Sequence, residues 1–267
     1  MFPLSDDNPD PGTPIVTWCL IGVNVAVFLW ELSVPEAALD RMVALYGLVP
    51  AVLFGFEPAP AALGVPVWAT VITSMFLHGG FGHLLGNMLY LYIFGNNVEI
   101  AMGRWRYLAF YLLCGTVAAG TQALVAPASM IPLIGASGAI SGVLGAYLML
   151  HPYARVRVLI MPLPLPIFRI LSIPAVVVLG FWFLLQFINA VWSAAGSGGV
   201  AFWAHVSGFA AGMALVALFK RADVALFQRR MASRFDFRDR DRGRIWGKAR
   251  DEERDNHRPG HRRGPWG

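Results

Sequence analysis

Long apolar runs separated by short polar or proline-rich breaks dominate this chain, and their lengths and spacing set its organisation. Runs at about 15–32, 67–94, 107–126, 137–150, 170–192 and 200–219 each predict a helix that crosses or enters a bilayer, which makes the expected fold all-α. Between the first two runs, residues 33–66 mix Glu36, Asp40, Arg41 and Glu57 with an apolar stretch broken by Gly and Pro. That pattern predicts short helices lying in the membrane interface. A turn is expected at Gly95-Asn96-Asn97-Val98-Glu99, and a basic, proline-rich loop carrying Arg155, Arg157 and Arg169 before the fifth run. Pro174 falls in the first turns of that run, where a missing N–H costs least. Residues 1–14, rich in Asp and Pro, have nothing to bury and read as a disordered lead. Residues 15–220 then form one membrane domain, and 221–267 a basic, disordered tail.

Composition agrees with the pattern. Apolar residues make up 57% of the 267 and charged residues 14%, a balance that points to a multi-pass membrane protein. Cys19 and Cys114 both lie in apolar runs, which argues against a disulfide framework or a cysteine metal site. No Lys or Arg precedes the first run and no small-residue cleavage site follows it, so that helix is expected to remain in the mature protein.

Charge orients the bundle. Of the 21 Lys and Arg, 2 fall between runs two and three, 3 between runs four and five, and 15 from Lys220 onward, leaving only Arg41 for the other face. Six spans with this asymmetry place both termini in the cytoplasm. The tail reads as a solubilising, topology-fixing segment, compatible with weak attraction to anionic lipid, rather than a specific nucleic-acid binder.

Candidate chemistry emerges from depth. At about 1.5 Å per residue, Ser137 stands about 21 Å above His151 and His205 about 22 Å above Lys220, while His83 and Asn87 stand about 24 and 18 Å above Glu99. Three inward-running helices therefore bring a hydroxyl, an imidazole and two further polar groups to one layer, roughly 10 Å below the outer surface of a hydrocarbon core of about 30 Å. Polar groups at that depth predict a functional site in a water-accessible cavity. Helix phase agrees: Ser137, Ser141 and Gly145 share one face, and His205, Gly208 and Gly212 another, so two glycine-lined faces can close together. Gly138-x-x-x-Gly142 also reads simply as a packing motif, and the two readings are compatible.

No carboxylate shares the layer, since Glu31 and Glu99 lie at span ends, so Ser137 and His205 would act as a dyad. His83 and Asn87, at i and i+4, can both donate to an oxyanion. A metal site fits poorly, because His78 and His83 are five residues apart, about 140° around a helix, with no H-E-x-x-H pattern. No cofactor is called for.

These residues fall within a recognisable set of motifs: Tyr46-Gly47-Leu48-Val49-Pro50, His78 with His83 and Asn87, Gly95-x-x-x-Glu99-x-x-x-Gly103, Gly135-Ala136-Ser137-Gly138, and Ala204-His205-Val206-Ser207-Gly208-x-x-x-Gly212. Over roughly residues 14–220 the chain resembles the rhomboid intramembrane serine proteases of bacterial type. The resemblance implies a six-transmembrane-helix bundle in a cell (inner) membrane. Ser137 would be the nucleophile and His205 the general base, with His83, Asn87 and the Ser137 N–H as the oxyanion site. It implies transmembrane protein substrates that meet the enzyme within the lipid bilayer. Span five, with Phe181, Trp182 and Phe183, and the loop 193–199 would move to admit them. A non-catalytic relative that binds transmembrane clients would be expected to lack Ser137 or His205, and both are present. Two departures stand out. No Trp lies between Trp30 and Trp68, where many members carry a Trp-Arg pair, and Ser141 replaces an aromatic residue that in some members supports the histidine.

Overall fold

A computed structural model describes residues 2–8, 12–60, 64–160, 168–193 and 201–229. The loop from residue 194 to 199 and the tail from 230 onward, both singled out in the sequence, lie outside these residues.

The apolar runs fold as helices: α1 (Ile15–Ser33), α5 (Phe81–Met102), α6 (Arg104–Val125), α7 (Ser137–Leu150), α8 (Ala175–Ser193) and α9 (Phe202–Phe219). Four of them, α1, α6, α8 and α9, are long and apolar enough to cross a membrane, and the chain is a membrane protein. α5 is equally long but carries His83, Asn87, Asn96, Asn97 and Glu99, and α7 has only 14 residues. The 33–66 connection contributes α2 (Glu36–Tyr46) and α3 (Pro50–Leu53), short helices as its broken apolar pattern predicts.

Six expectations are corrected. The run 67–94 is not one span: short helical turns, including α4 (Thr70–Thr73), reach Phe76, and α5 starts afresh at Phe81. Extended Leu77 and the left-handed Gly80 (φ +153°) break the helix, a conformation glycine adopts cheaply. The expected turn at residues 95–99 is helical, because its polar groups find partners. The Glu99 carboxylate accepts the Val16 and Thr17 N–H groups (2.9 and 2.7 Å) and the Thr17 hydroxyl (2.8 Å), while Asn97 Nδ2 donates to Asp6 (2.9 Å). Glu99 thus caps the amides that the start of α1 leaves unpaired.

The chain is also not purely α. β1 (Phe2–Asp6), β2 (Arg155–Ile160) and β3 (Arg169–Pro174) form an antiparallel sheet in that order, so the lead is not disordered over residues 2–6, and α8 starts five residues later than expected. The reason was present in the alternation of β2, with Val156 and Val158 buried and Arg155 and Arg157 exposed. Asp6 accepts hydrogen bonds from Asn97 and from the buried Tyr147 hydroxyl, which fixes the strand to α5 and α7. The first residues of the tail are ordered as well. Arg221, Phe227 and Gln228 donate backbone bonds to Ala101, Met149 and Leu150 (2.8–2.9 Å).

The core centres on α7, whose residues from Ala139 to Tyr147 are all buried. Its glycines meet α9 backbone to backbone. A Cβ on Gly212 would overlap the Gly142 carbonyl oxygen, one on Gly208 the Gly138 oxygen, and one on Gly145 the Phe209 oxygen. On the other side, Gly138 and Gly142 face Ala118 and Cys114 of α6. Small-residue faces of this kind let membrane helices gain dispersion contacts where lipid supplies no hydrophobic drive.

Gly212→Ala should lower stability by about 2 kcal/mol through overpacking. Gly22→Ala, where an added methyl meets nothing within 4 Å, should be neutral or slightly stabilising; SDS-induced unfolding of both variants tests the contrast. His151, buried just beyond the end of α7, has its imidazole pushed down to about 4 by burial. The folded protein therefore binds fewer protons than the unfolded chain between the ordinary value near 6.5 and about 4, and stability falls on acidification across that window. Replacing His151 with Gln should remove up to about 1.4 kcal/mol per pH unit of that slope, measured by unfolding at pH 4.5 and 6.5.

Candidate active site

Ser137 is the first residue of α7, half-buried, and the first helical hydrogen bond runs from Ile140 N–H to the Ala136 carbonyl (3.0 Å). The N–H groups of Ser137, Gly138 and Ala139 belong to the turn that has no intrahelical acceptor, at the positive end of the helix. The approach to this turn is held from three directions. Gly135 N–H donates to the Ser74 carbonyl (2.8 Å), Leu48 and Leu133 exchange backbone bonds (3.1 and 2.8 Å), and Ala51 N–H donates to the Ser129 carbonyl (3.0 Å).

The motif Tyr46–Pro50 is therefore a buttress for the segment leading to Ser137. Gly47 leaves its neighbours little room, with an added Cβ 3.1 Å from Ile134 and 3.2 Å from Pro132. Thr73 Oγ1 donates to the Tyr46 carbonyl (2.6 Å), and the Tyr46 ring packs edge-on against Trp30 at 5.7 Å. The loop lacks a Trp of its own, and its Tyr46 packs instead against Trp30 of α1.

His205 lies one turn into α9. Its Nε2 is 2.8 Å from Ser137 Oγ, as the shared depth and the facing glycines predict. Gln122 of α6 accepts the N–H of the preceding Ala204 (3.3 Å), tying the start of α9 to α6.

His83 and Asn87 sit on the first two turns of α5, His83 exposed and Asn87 buried. Both approach Gly135, which has φ +117°; a Cβ there would lie 2.7 Å from the His83 ring and 3.8 Å from Asn87 Nδ2. Asn87 Nδ2 is 3.0 Å from His78 Nε2, and the His78 and His83 rings meet edge-on at 5.0 Å. The Glu31 carboxylate, at the end of α1, accepts the His78 backbone N–H (3.0 and 3.3 Å) and so fixes the turn that precedes α5. The four residues singled out in the sequence thus gather from three helices around the mouth of α7.

Two neighbours of His205 were not anticipated in their roles. Gln186 of α8 has its Oε1 2.8 Å from His205 Nδ1, and Trp182, one turn earlier, lies 6.0 Å from the imidazole. The signal for Gln186 was its polarity within the otherwise apolar middle of a membrane-spanning run. Ser141 does not hydrogen-bond the histidine; its hydroxyl donates to the Ser137 carbonyl (2.6 Å).

Comparisons with known proteins agree with this architecture. The family model described as "Rhomboid domain" matches residues 66–222. The chain is similar to Rhomboid protein 1, mitochondrial, of Saccharomyces cerevisiae, with 29% identity over 154 residues, covering 56% of this chain and 40% of that protein. It is 31% identical over 138 residues to Rhomboid protease GluP of Bacillus subtilis, covering 51% of this chain and 25% of that protein. With the human Presenilin-associated rhomboid-like protein, mitochondrial, it shares 31% over 160 residues, covering 59% and 38%. The matched region spans less than half the length of each of these relatives.

Gly135→Ala should be poorly tolerated, since the new methyl must displace the His83 ring from a backbone conformation that L side chains rarely adopt. A loss of about 2 kcal/mol in SDS unfolding is expected, against no loss for Gly120→Ala, where an added methyl meets open space.

Proposed function

The chain belongs to the rhomboid family, and on that premise we propose that it is an intramembrane serine endopeptidase acting on transmembrane helices of other membrane proteins. The observation that carries this reading is the 2.8 Å contact between His205 Nε2 and Ser137 Oγ at the start of α7. A serine hydroxyl within reach of a neutral imidazole nitrogen is the minimal activated nucleophile.

In the proposed reaction Ser137 Oγ attacks the scissile carbonyl as His205 takes its proton. The tetrahedral oxyanion would be held by the Ser137 N–H and by His83 and Asn87, donors whose side chains lie close to Gly135 at the approach to α7. His205 then returns the proton to the leaving amine, and water, activated by the same imidazole, hydrolyses the acyl-enzyme. A substrate helix must unwind locally to present its carbonyl, which Gly or Pro near its outer end makes cheaper. The proposed topology has six crossings, α5 and the short α7 joining α1, α6, α8 and α9. The protein would lie in a cell (inner) membrane with both termini cytoplasmic, where the basic residues concentrate.

Reaction of the protein in lipid with a fluorophosphonate probe should label Ser137. Cleavage of a model transmembrane substrate should fall by about 10³-fold or more in Ser137→Ala and in His205→Ala. His83→Ala and Asn87→Ala should each lower kcat by about 10²-fold, the usual cost of one oxyanion donor. A protein that binds transmembrane segments without taking the label would instead be a non-catalytic client binder.

A further inference from the structure

The imidazole of His205 is held at both ends, and only one end is explained by the serine. Its Nε2 faces Ser137 Oγ at 2.8 Å, and its Nδ1 faces Gln186 Oε1 at the same distance. We propose that Gln186 is a positioning residue for the dyad, its amide oxygen accepting the Nδ1–H of His205 and so fixing the imidazole in the tautomer that can accept the Ser137 proton. This inference rests on the proteolytic reading of Ser137 and His205.

The chemistry leaves one productive arrangement. An amide oxygen can only accept, so the proton must reside on Nδ1, and the Nε2 lone pair is then free to accept from the serine hydroxyl. With the amide turned over, its NH₂ would donate to Nδ1. The proton would then sit on Nε2, and the imidazole could no longer act as base toward Ser137. A third group that orients the base is the general pattern of activated nucleophiles, and an amide fills that role in cysteine proteases with a Cys-His-Asn set.

The placement of Gln186 argues for a specific role rather than incidental polarity. Of the two amides on α8, Asn189 is exposed while Gln186 is half-buried against α9, on the same face as Trp182 at i−4. Trp182 lies 6.0 Å from both His205 and Phe209, and Phe183 stacks on Phe209 at 4.8 Å, which fixes this turn of α8 against α9. Ser141 is bonded to the Ser137 carbonyl, so α8 provides what the fourth residue after the nucleophile does not.

The test compares Gln186→Met, which keeps length and removes the acceptor, with Gln186→Glu, which keeps an acceptor oxygen. Full-length protein labelled with ¹⁵N-histidine in detergent micelles is observed by NMR, with the His205 signals assigned by their loss in His205→Ala. Wild type and Gln186→Glu should carry the proton on Nδ1, and Gln186→Met should shift toward the Nε2–H form. Turnover of the transmembrane substrate should show kcat about 10-fold lower in Gln186→Met with KM within about 2-fold, and restored to within about 3-fold of wild type in Gln186→Glu. Unchanged thermal unfolding in both variants separates this from a folding defect. Retention of the Nδ1–H tautomer in Gln186→Met, or wild-type kcat in that variant, would overturn the proposal. The NMR readout needs no turnover. The stated tautomer shift in a protein whose Ser137 takes no fluorophosphonate would therefore uphold the Gln186–His205 link while removing the proteolytic reading.

Discussion

Backbone-to-backbone contact between α7 and α9 is the constraint on which the site depends. Gly145, Gly208 and Gly212 lie where a single added methyl would overlap a carbonyl of the opposite helix. In lipid this proximity is gained from dispersion and shape rather than from expulsion of water, so it is sensitive to one atom of excess volume. The same closeness brings His205 to Ser137 at hydrogen-bond distance, and neither residue would reach the other across helices spaced by larger side chains. Packing and chemistry are therefore not separate functions of the glycines.

Around that pair the chain places a shell of polar contacts that hold irregular backbone. Leu48 with Leu133, Gly135 with Ser74 and Ala51 with Ser129 supply partners for carbonyls and amides in connecting segments and short helical turns. Such groups are costly at membrane depth unless satisfied or open to water. Glu31 and Glu99 do similar work at the two ends of α1, one accepting the amide of His78 and the other the first amides of α1 itself. Both carboxylates are buried, both serve backbone, and neither hydrogen-bonds His205.

Much of this was legible in the sequence, and the misses have physical causes. The bounds of α7 follow from the stretch between Gly135 and His151, and depth with helix phase suffices to bring His205 to Ser137, because straight helices preserve both. The start of α5 was obscured because the apolar run continues through Gly79-Gly80, where backbone conformation and not polarity ends the helix. Glu99 and Asn97 suggested a turn because their partners, Thr17 and Asp6, lie more than 80 residues away. The strand at Phe2–Asp6 has no stability of its own and exists through pairing with β2. Gln186 showed its polarity but not its partner, since orientation across α8 and α9 depends on how the two helices dock.

The order in which the chain is made gives the α7–α9 contact one more consequence. Ser137 and His205 are separated by 68 residues, and the imidazole arrives on α9, the last helix among the described residues. During synthesis from the N-terminus, the serine therefore enters the bilayer without His205 and lacks that partner while α8 is laid down. A nascent chain, or one terminated before α9, holds Ser137 without the imidazole that faces it in the folded protein. The contact between Ser137 and His205 forms only when α9 closes onto α7, so the assembly of the pair is timed by the synthesis of α9.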